Sequence, residues 1–203
     1  MRYIGSEIVS TQFCIYLEYM PGGSLANVYK QNGKFNEAQI RSFVKQILKG
    51  LIYLHQNKIV HCDIKGENIL LDDRGTVKLS DFGSARLFEN SLSMSNFKGA
   101  ISGSLPWMAP EVLMAKGIRR KADIWSLGCL IIELAVAGNP WGNLLGTEYN
   151  IQAIFKLTDP SLVPVIPEWL SEQCRDFILR CLNREYDKRP SAAELEQHQW
   201  IKE

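Results

Sequence analysis

The sequence predicts an α+β fold, a mostly helical body with two small strand pairs near its start. Three observations carry that expectation. From Asn36 onward, apolar side chains recur at the 3.6-residue period of a helix. The stretch Phe13-Cys14-Ile15-Tyr16-Leu17-Glu18-Tyr19 is instead rich in β-forming residues and ends at a turn, Pro21-Gly22-Gly23. The segment from Lys121 to Gly138 is apolar on nearly every side, which marks a helix buried at the centre of a fold rather than one lying on its surface.

Taken in order, Ile8 and Val9 supply a partner for the strand that runs from Phe13 to Tyr19. Asn36 is a good helix N-cap, and Gln39 stands three places later in the capping-box position. Ile40, Phe43, Val44, Ile47, Leu48, Leu51 and Leu54 then form one apolar face. Val77-Lys78-Leu79 reads as a short strand. Ile124, Trp125, Leu127, Leu130, Ile131, Ile132, Leu134 and Val136 fill the central helix. Ser171 caps a further helix with Cys174, Phe177, Ile178, Cys181 and Leu182 on one face. Pro190, Ser191 and Glu194 announce a last helix through a second capping box.

The 203 residues suffice for one domain with a real core, and the 46% apolar content is ordinary. A net charge of +1 gives no reason to expect nucleic acid or an acidic membrane as partner. The longest apolar run, Cys129 to Ala137, is broken by Glu133 and is too short to span a bilayer. Met1 to Glu7 lacks a signal core. Five cysteines without metal-site spacing are expected to be reduced, buried thiols of a cytoplasmic protein. There are no repeats and no low-complexity tracts.

Chemistry concentrates in His61-Cys62-Asp63-Ile64-Lys65-Gly66-Glu67-Asn68, followed by apolar Ile69-Leu70-Leu71 and then by Asp81-Phe82-Gly83. These are the parts needed to move a phosphoryl group. Asp63 can accept a proton from a hydroxyl. Lys65 can neutralise a phosphate. Asn68 and Asp81 can offer oxygens to a hard cation, and Gly83 permits a sharp turn beside it. Such a transfer leaves little covalent work for the protein, so positioning and charge neutralisation dominate. The set resembles the catalytic loop and metal-binding motif of eukaryotic protein kinases. The resemblance implies ATP and Mg2+ as cofactors, Asp63 and Lys65 as catalytic residues, and Asn68 and Asp81 as magnesium ligands. His61, Phe82 and Gly83 would support them.

The resemblance covers the rest of the chain. Trp107-Met108-Ala109-Pro110-Glu111 resembles the motif that closes a kinase activation segment. Asp123-Ile124-Trp125-Ser126-Leu127-Gly128 resembles the start of the family's central helix, whose aspartate holds the catalytic-loop backbone. Arg189 matches the arginine that pairs with the glutamate at Glu111, a bidentate and largely buried contact. Lys65, with Ser104, resembles serine/threonine rather than tyrosine kinases. Together with Pro21-Gly22-Gly23-Ser24-Leu25, these motifs most resemble the MAP kinase kinase kinase (STE-like) branch, which implies a protein substrate such as a MAP kinase kinase. The resemblance further implies that the backbone of Glu18 and Met20 contacts adenine. Leu17 would lie behind the base, Leu70 beneath it, and Ser24 within reach of the ribose.

The sequence departs from the family in two places. Cys62 stands where kinases that need a phosphorylated activation loop usually carry arginine. A thiol cannot pair with a phosphate, so weaker dependence on loop phosphorylation is expected, with Ser91, Ser93, Ser95 and Ser102 as available sites. The larger departure is that nothing before Phe13 resembles a glycine-rich loop or a Val-Ala-x-Lys strand. Gly22-Gly23 has the wrong spacing and no third glycine. The expectation is a protein kinase domain over 1–203 that is incomplete at its N-terminus. Residues 1–20 would be the remnant of the small-lobe β-strands and hinge, and 21–203 the mostly helical large lobe. Met1 would be an internal methionine read as a start, or the mark of a truncated gene model. Regulatory domains would lie outside the chain. As it stands, the chain is expected to bind ATP weakly and to expose unpaired strand edges around residues 8–19. The missing lysine also admits a catalytically impaired kinase-like scaffold. A small-molecule kinase is the third reading, and the Trp107–Glu111 and Asp123 motifs argue against it.

Overall fold

The strand expected at Ile8 and Val9 is longer than the sequence pattern suggested. In the computed structural model, which describes residues 1–87, 105–145 and 151–203, β1 (Tyr3–Val9) pairs antiparallel with β2 (Gln12–Leu17). The pair stands as a separate two-stranded sheet and exposes Ile4, Ile8, Phe13 and Ile15. Among the described residues its outer edges have no strand partner, as expected.

The chain then turns onto the body of the fold. Gly22 N–H donates to the Leu71 carbonyl at 2.9 Å, and Leu71 N–H donates to the Gly23 carbonyl at 2.8 Å. A Cβ at Gly22 would lie 2.6 Å from that Leu71 oxygen. The glycine pair is therefore a turn laid directly on the next strand's backbone, which only a residue without a side chain permits. Ser24 follows as the N-cap of α1 (Leu25–Asn32), an element the sequence pattern did not reveal. At α2 (Glu37–Gln56), Asn36 and Gln39 exchange capping-box bonds of 2.9 and 3.1 Å. The predicted apolar face of α2, from Ile40 to Leu54, is buried.

Three small strand pairs are present among the described residues, not two. β4 (Ile69–Leu71) pairs with β5 (Val77–Leu79) as expected, and β3 (Ile59–Val60) pairs with β6 (Arg86–Leu87). Strands of two residues are too short to carry a periodicity. The short helix α3 (Pro110–Leu113) precedes α4 (Lys121–Val136), in which every residue from Ala122 to Ala135 is buried. α4 ends two residues before Gly138, because Ala137 adopts the left-handed conformation with φ 56°. α5 (Ile151–Thr158) packs on α3, and α6 (Glu172–Cys181), capped by Ser171 as expected, packs on α4. The last predicted helix is two helices, α7 (Ala192–Glu196) and α8 (Gln199–Lys202). His198 breaks the run and caps α8, its Nδ1 accepting from Trp200 N–H at 3.2 Å. No helix among the described residues is long and apolar enough to cross a membrane.

Candidate active site

The loop between β3 and β4 carries His61 to Asn68, and one buried carboxylate fixes its entry. Asp123, fully buried on α4, accepts from His61 N–H at 3.0 Å and from Cys62 N–H at 2.9 Å. It also bonds His55 Nε2 at 2.8 Å. These bonds hold Cys62 at φ 68°, a backbone shape that L residues rarely adopt. His61 is itself buried. Its Nε2 donates to the Ser80 carbonyl at 2.9 Å, and its Nδ1 accepts from Asp63 N–H at 3.3 Å. Phe82 packs against the His61 ring with centroids 5.0 Å apart, although Phe82 is itself exposed.

Asp63, Lys65 and Asn68 meet directly. Asn68 Nδ2 donates to the Asp63 carbonyl at 2.8 Å and to Asp63 Oδ2 at 2.7 Å. Lys65 Nζ lies 3.2 Å from the same Oδ2. Asp63 Oδ1 is buried and has no hydrogen-bond partner among the described residues. Asp81 is tethered to this group by its neighbour, since Ser80 N–H and Ser80 Oγ both donate to the Asn68 carbonyl, at 2.9 and 3.0 Å. Asp81 sits at φ 56° with one carboxylate oxygen accepting from Gly83 N–H at 3.2 Å. With the Asn68 amide nitrogen committed to Asp63, the Asn68 amide oxygen and the Asp81 carboxylate are the oxygens left for a hard cation, and their donor type suits magnesium. Among the described residues no group of three His, Cys, Asp or Glu forms a metal cluster.

The expected nucleotide contacts are Leu17, Glu18, Met20, Ser24 and Leu70. Among the described residues neither the Glu18 carbonyl nor the Met20 N–H has a hydrogen-bond partner. The Glu18 side chain points elsewhere and forms an ion pair with Lys78 Nζ at 2.6 Å. Ser24 lies beside Leu70 through an isolated β-bridge. Its Oγ accepts from Asn27 N–H at 3.1 Å, which leaves its hydroxyl proton and one lone pair for a ligand. Leu70 is half-buried and Leu17 is exposed. Further along the chain, Arg189 and Glu111 form the expected bidentate pair at 2.7 and 3.0 Å, and both are buried. Ser91, Ser93, Ser95, Ser102 and Ser104 lie outside the described residues.

The family model for the protein kinase domain matches residues 1–201. The chain belongs to the protein kinase family. This kinase chain is 42% identical over 201 residues to mitogen-activated protein kinase kinase kinase A of Dictyostelium discoideum, covering 99% of itself and 21% of that relative. It is 42% identical over 203 residues to the kinase kinase kinase YODA of Arabidopsis thaliana, covering 100% of itself and 22% of that relative. Against serine/threonine-protein kinase STE11 of Saccharomyces cerevisiae, identity is 39% over 201 residues, with 99% and 27% covered. The kinase chain therefore spans about a quarter or less of the length of these relatives.

One residue of the kinase site was not expected from its motifs. Glu133, buried in α4, accepts from Tyr29 OH at 3.0 Å, Gly66 N–H at 2.9 Å and Trp107 Nε1 at 2.8 Å. Its one sequence signal is that it interrupts the apolar run from Cys129 to Ala137. Burial pushes its carboxyl up from 4.5 to about 7, against the pull of the three donors, and nearby Glu67 adds to the rise. The folded state then holds a proton that the unfolded state has released. The stability contributed is full below about pH 4.5 and is lost as pH rises through about 7. Glu133→Gln should remove that loss. Urea unfolding at about pH 5 and pH 8 should show the variant gaining on the parent at the higher pH, by up to about 3 kcal/mol. An unchanged difference between the two pH values would contradict the assignment. Burial also pushes the Cys62 thiol up to about 12, so it stays uncharged at neutral pH.

Proposed function

We propose that this chain is the catalytic part of a serine/threonine protein kinase that transfers the terminal phosphoryl group of ATP to a protein hydroxyl. The observation that carries the reading is Asp63, held through Oδ2 by Asn68 and Lys65 while Oδ1 has no donor among the described residues. A buried acceptor without a partner is costly, and a substrate hydroxyl would satisfy it. In the transfer the hydroxyl oxygen bonds to phosphorus, the bond from phosphorus to the departing ADP oxygen breaks, and the hydroxyl proton passes to Asp63. Lys65 supplies positive charge beside the acid. Asn68 and Asp81 would hold magnesium, which when bound neutralises phosphate charge. Adenine would take its two backbone bonds from the Glu18 carbonyl and the Met20 N–H, above Leu70 and in front of Leu17, with the Ser24 hydroxyl proton toward the ribose.

Relatives named as MAP kinase kinase kinases, similar along nearly the whole chain, support the finer reading. The substrate would be a MAP kinase kinase and the setting a cytoplasmic signalling cascade, with regulatory domains elsewhere in the protein. An uncharged Cys62 supports activity that depends weakly on a phosphorylated loop. The full-length kinase, given ATP, should phosphorylate serine or threonine of a MAP kinase kinase in strict dependence on magnesium, and faster than a generic basic protein. Equal rates on both substrates would remove the cascade assignment. Nucleotide binding without transfer to either would favour the scaffold reading instead.

A further inference from the structure

We infer that Glu133 is a second positioning residue of the catalytic loop, acting at the end opposite Asp123. The inference rests on the reading of Asp63 as the proton acceptor. Asp123 and Glu133 lie ten residues apart on α4, about 15 Å along the helix axis. Asp123 takes the N–H groups of His61 and Cys62. Glu133 takes the N–H of Gly66. Asp63 and Lys65 lie between the two clamps. A single rigid, buried helix thus sets both ends of the segment whose side chains must be held to a fraction of an ångström.

The contact at Gly66 is shaped as well as bonded. A Cβ added at Gly66 would fall within the contact radius of Glu133 Oε1 and lie 3.4 Å from Ala26 N. The glycine and the carboxylate are therefore a matched pair: a side chain at position 66 would have to displace the Glu133 carboxylate or the loop itself. The same carboxylate ties two other elements to that point. Its Oε1 holds Tyr29 of α1, just past the Gly22-Gly23 turn, and its Oε2 also takes Trp107. Trp107 is fixed a second time to α4 by its carbonyl, which accepts from Ser126 Oγ at 2.8 Å. Removing Glu133 would leave three donors seeking new partners and free the loop's distal end.

The test uses the full-length kinase with Glu133→Leu, Glu133→Gln and Gly66→Ala, and Asp63→Asn as control. Turnover, KM for ATP and for the protein substrate, and thermal unfolding are measured for each. Glu133→Leu and Gly66→Ala should lower kcat about 10- to 100-fold with KM for ATP within about twofold of the parent. Glu133→Gln should restore kcat to within about threefold. Its carbonyl can accept from Gly66 and Trp107 while its amide donates to the Tyr29 hydroxyl oxygen. A folded Glu133→Leu or Gly66→Ala at parental kcat would overturn the inference, as would a Glu133→Gln no better than Glu133→Leu. Should Glu133→Leu fail to fold, the one-carbon change at Gly66 decides the matter. A parental rate in Asp63→Asn would strike instead the reading of Asp63 itself.

Discussion

Asp63→Asn is expected to lower phosphoryl transfer by about 100- to 10,000-fold and to leave the thermal midpoint near that of the parent. The geometry explains why both halves of that result are expected. The asparagine oxygen can take the place of Oδ2 and keep the bonds from Asn68 Nδ2 at 2.7 Å and from Lys65 Nζ at 3.2 Å. The amide nitrogen then takes the place of Oδ1, the buried oxygen that has no partner among the described residues. That nitrogen donates and cannot accept a proton from a hydroxyl. The fold keeps its contacts while the reaction loses its base. Single-turnover transfer with saturating ATP isolates the effect from binding. A variant that transfers phosphate at the parental rate would remove the acid from the mechanism.

Arg189→Met has the largest expected effect on stability, a loss of about 3–5 kcal/mol. Arg189 is fully buried and serves several partners at once. Its fork meets both oxygens of Glu111, Nη1 also donates to the Lys121 carbonyl at 2.7 Å, and Nε donates to the Asn183 carbonyl at 2.9 Å. The guanidinium also lies over the Trp125 ring, 5.2 Å from its centroid. Methionine fills the volume but strands the Glu111 carboxylate in a site with little access to water. Pairing it with Glu111→Leu should recover part of the loss, because a vacated charge costs more than an apolar pair in the same space. Denaturant midpoints of the two single variants and the double variant check this. A double variant that loses the full sum of the singles would show that the pair's mutual charge is not what matters.

Long, strongly patterned elements could be read from the sequence, and short ones could not. The α2 face and its capping box were visible because seven apolar residues and two cap residues all agree. α4 was visible because nothing on it looked like a surface. β3 and β6 escaped because two residues cannot display a period, and their pairing depends on a partner 26 residues away. α1 escaped because Ser24 reads equally as a cap or as a polar loop residue. The site divides along the same line. Asp63, Lys65, Asn68 and Asp81 lie close together in sequence and form a motif, and the structure joins the first three directly. Glu133 lies 67 residues from Gly66 and acts through backbone N–H and ring N–H groups, which no residue-type pattern encodes.

The exposed β1–β2 hairpin has an energetic consequence of its own. Ile4, Ile8, Phe13 and Ile15 already face solvent in the native state, so unzipping this ribbon uncovers little further apolar area. Its attachment to the body relies on polar fastenings near its base, chiefly the Glu18–Lys78 ion pair and the glycine turn on Leu71. The hairpin is therefore expected to open at a lower free energy than the α4-centred body to which the Asp63 loop is bonded.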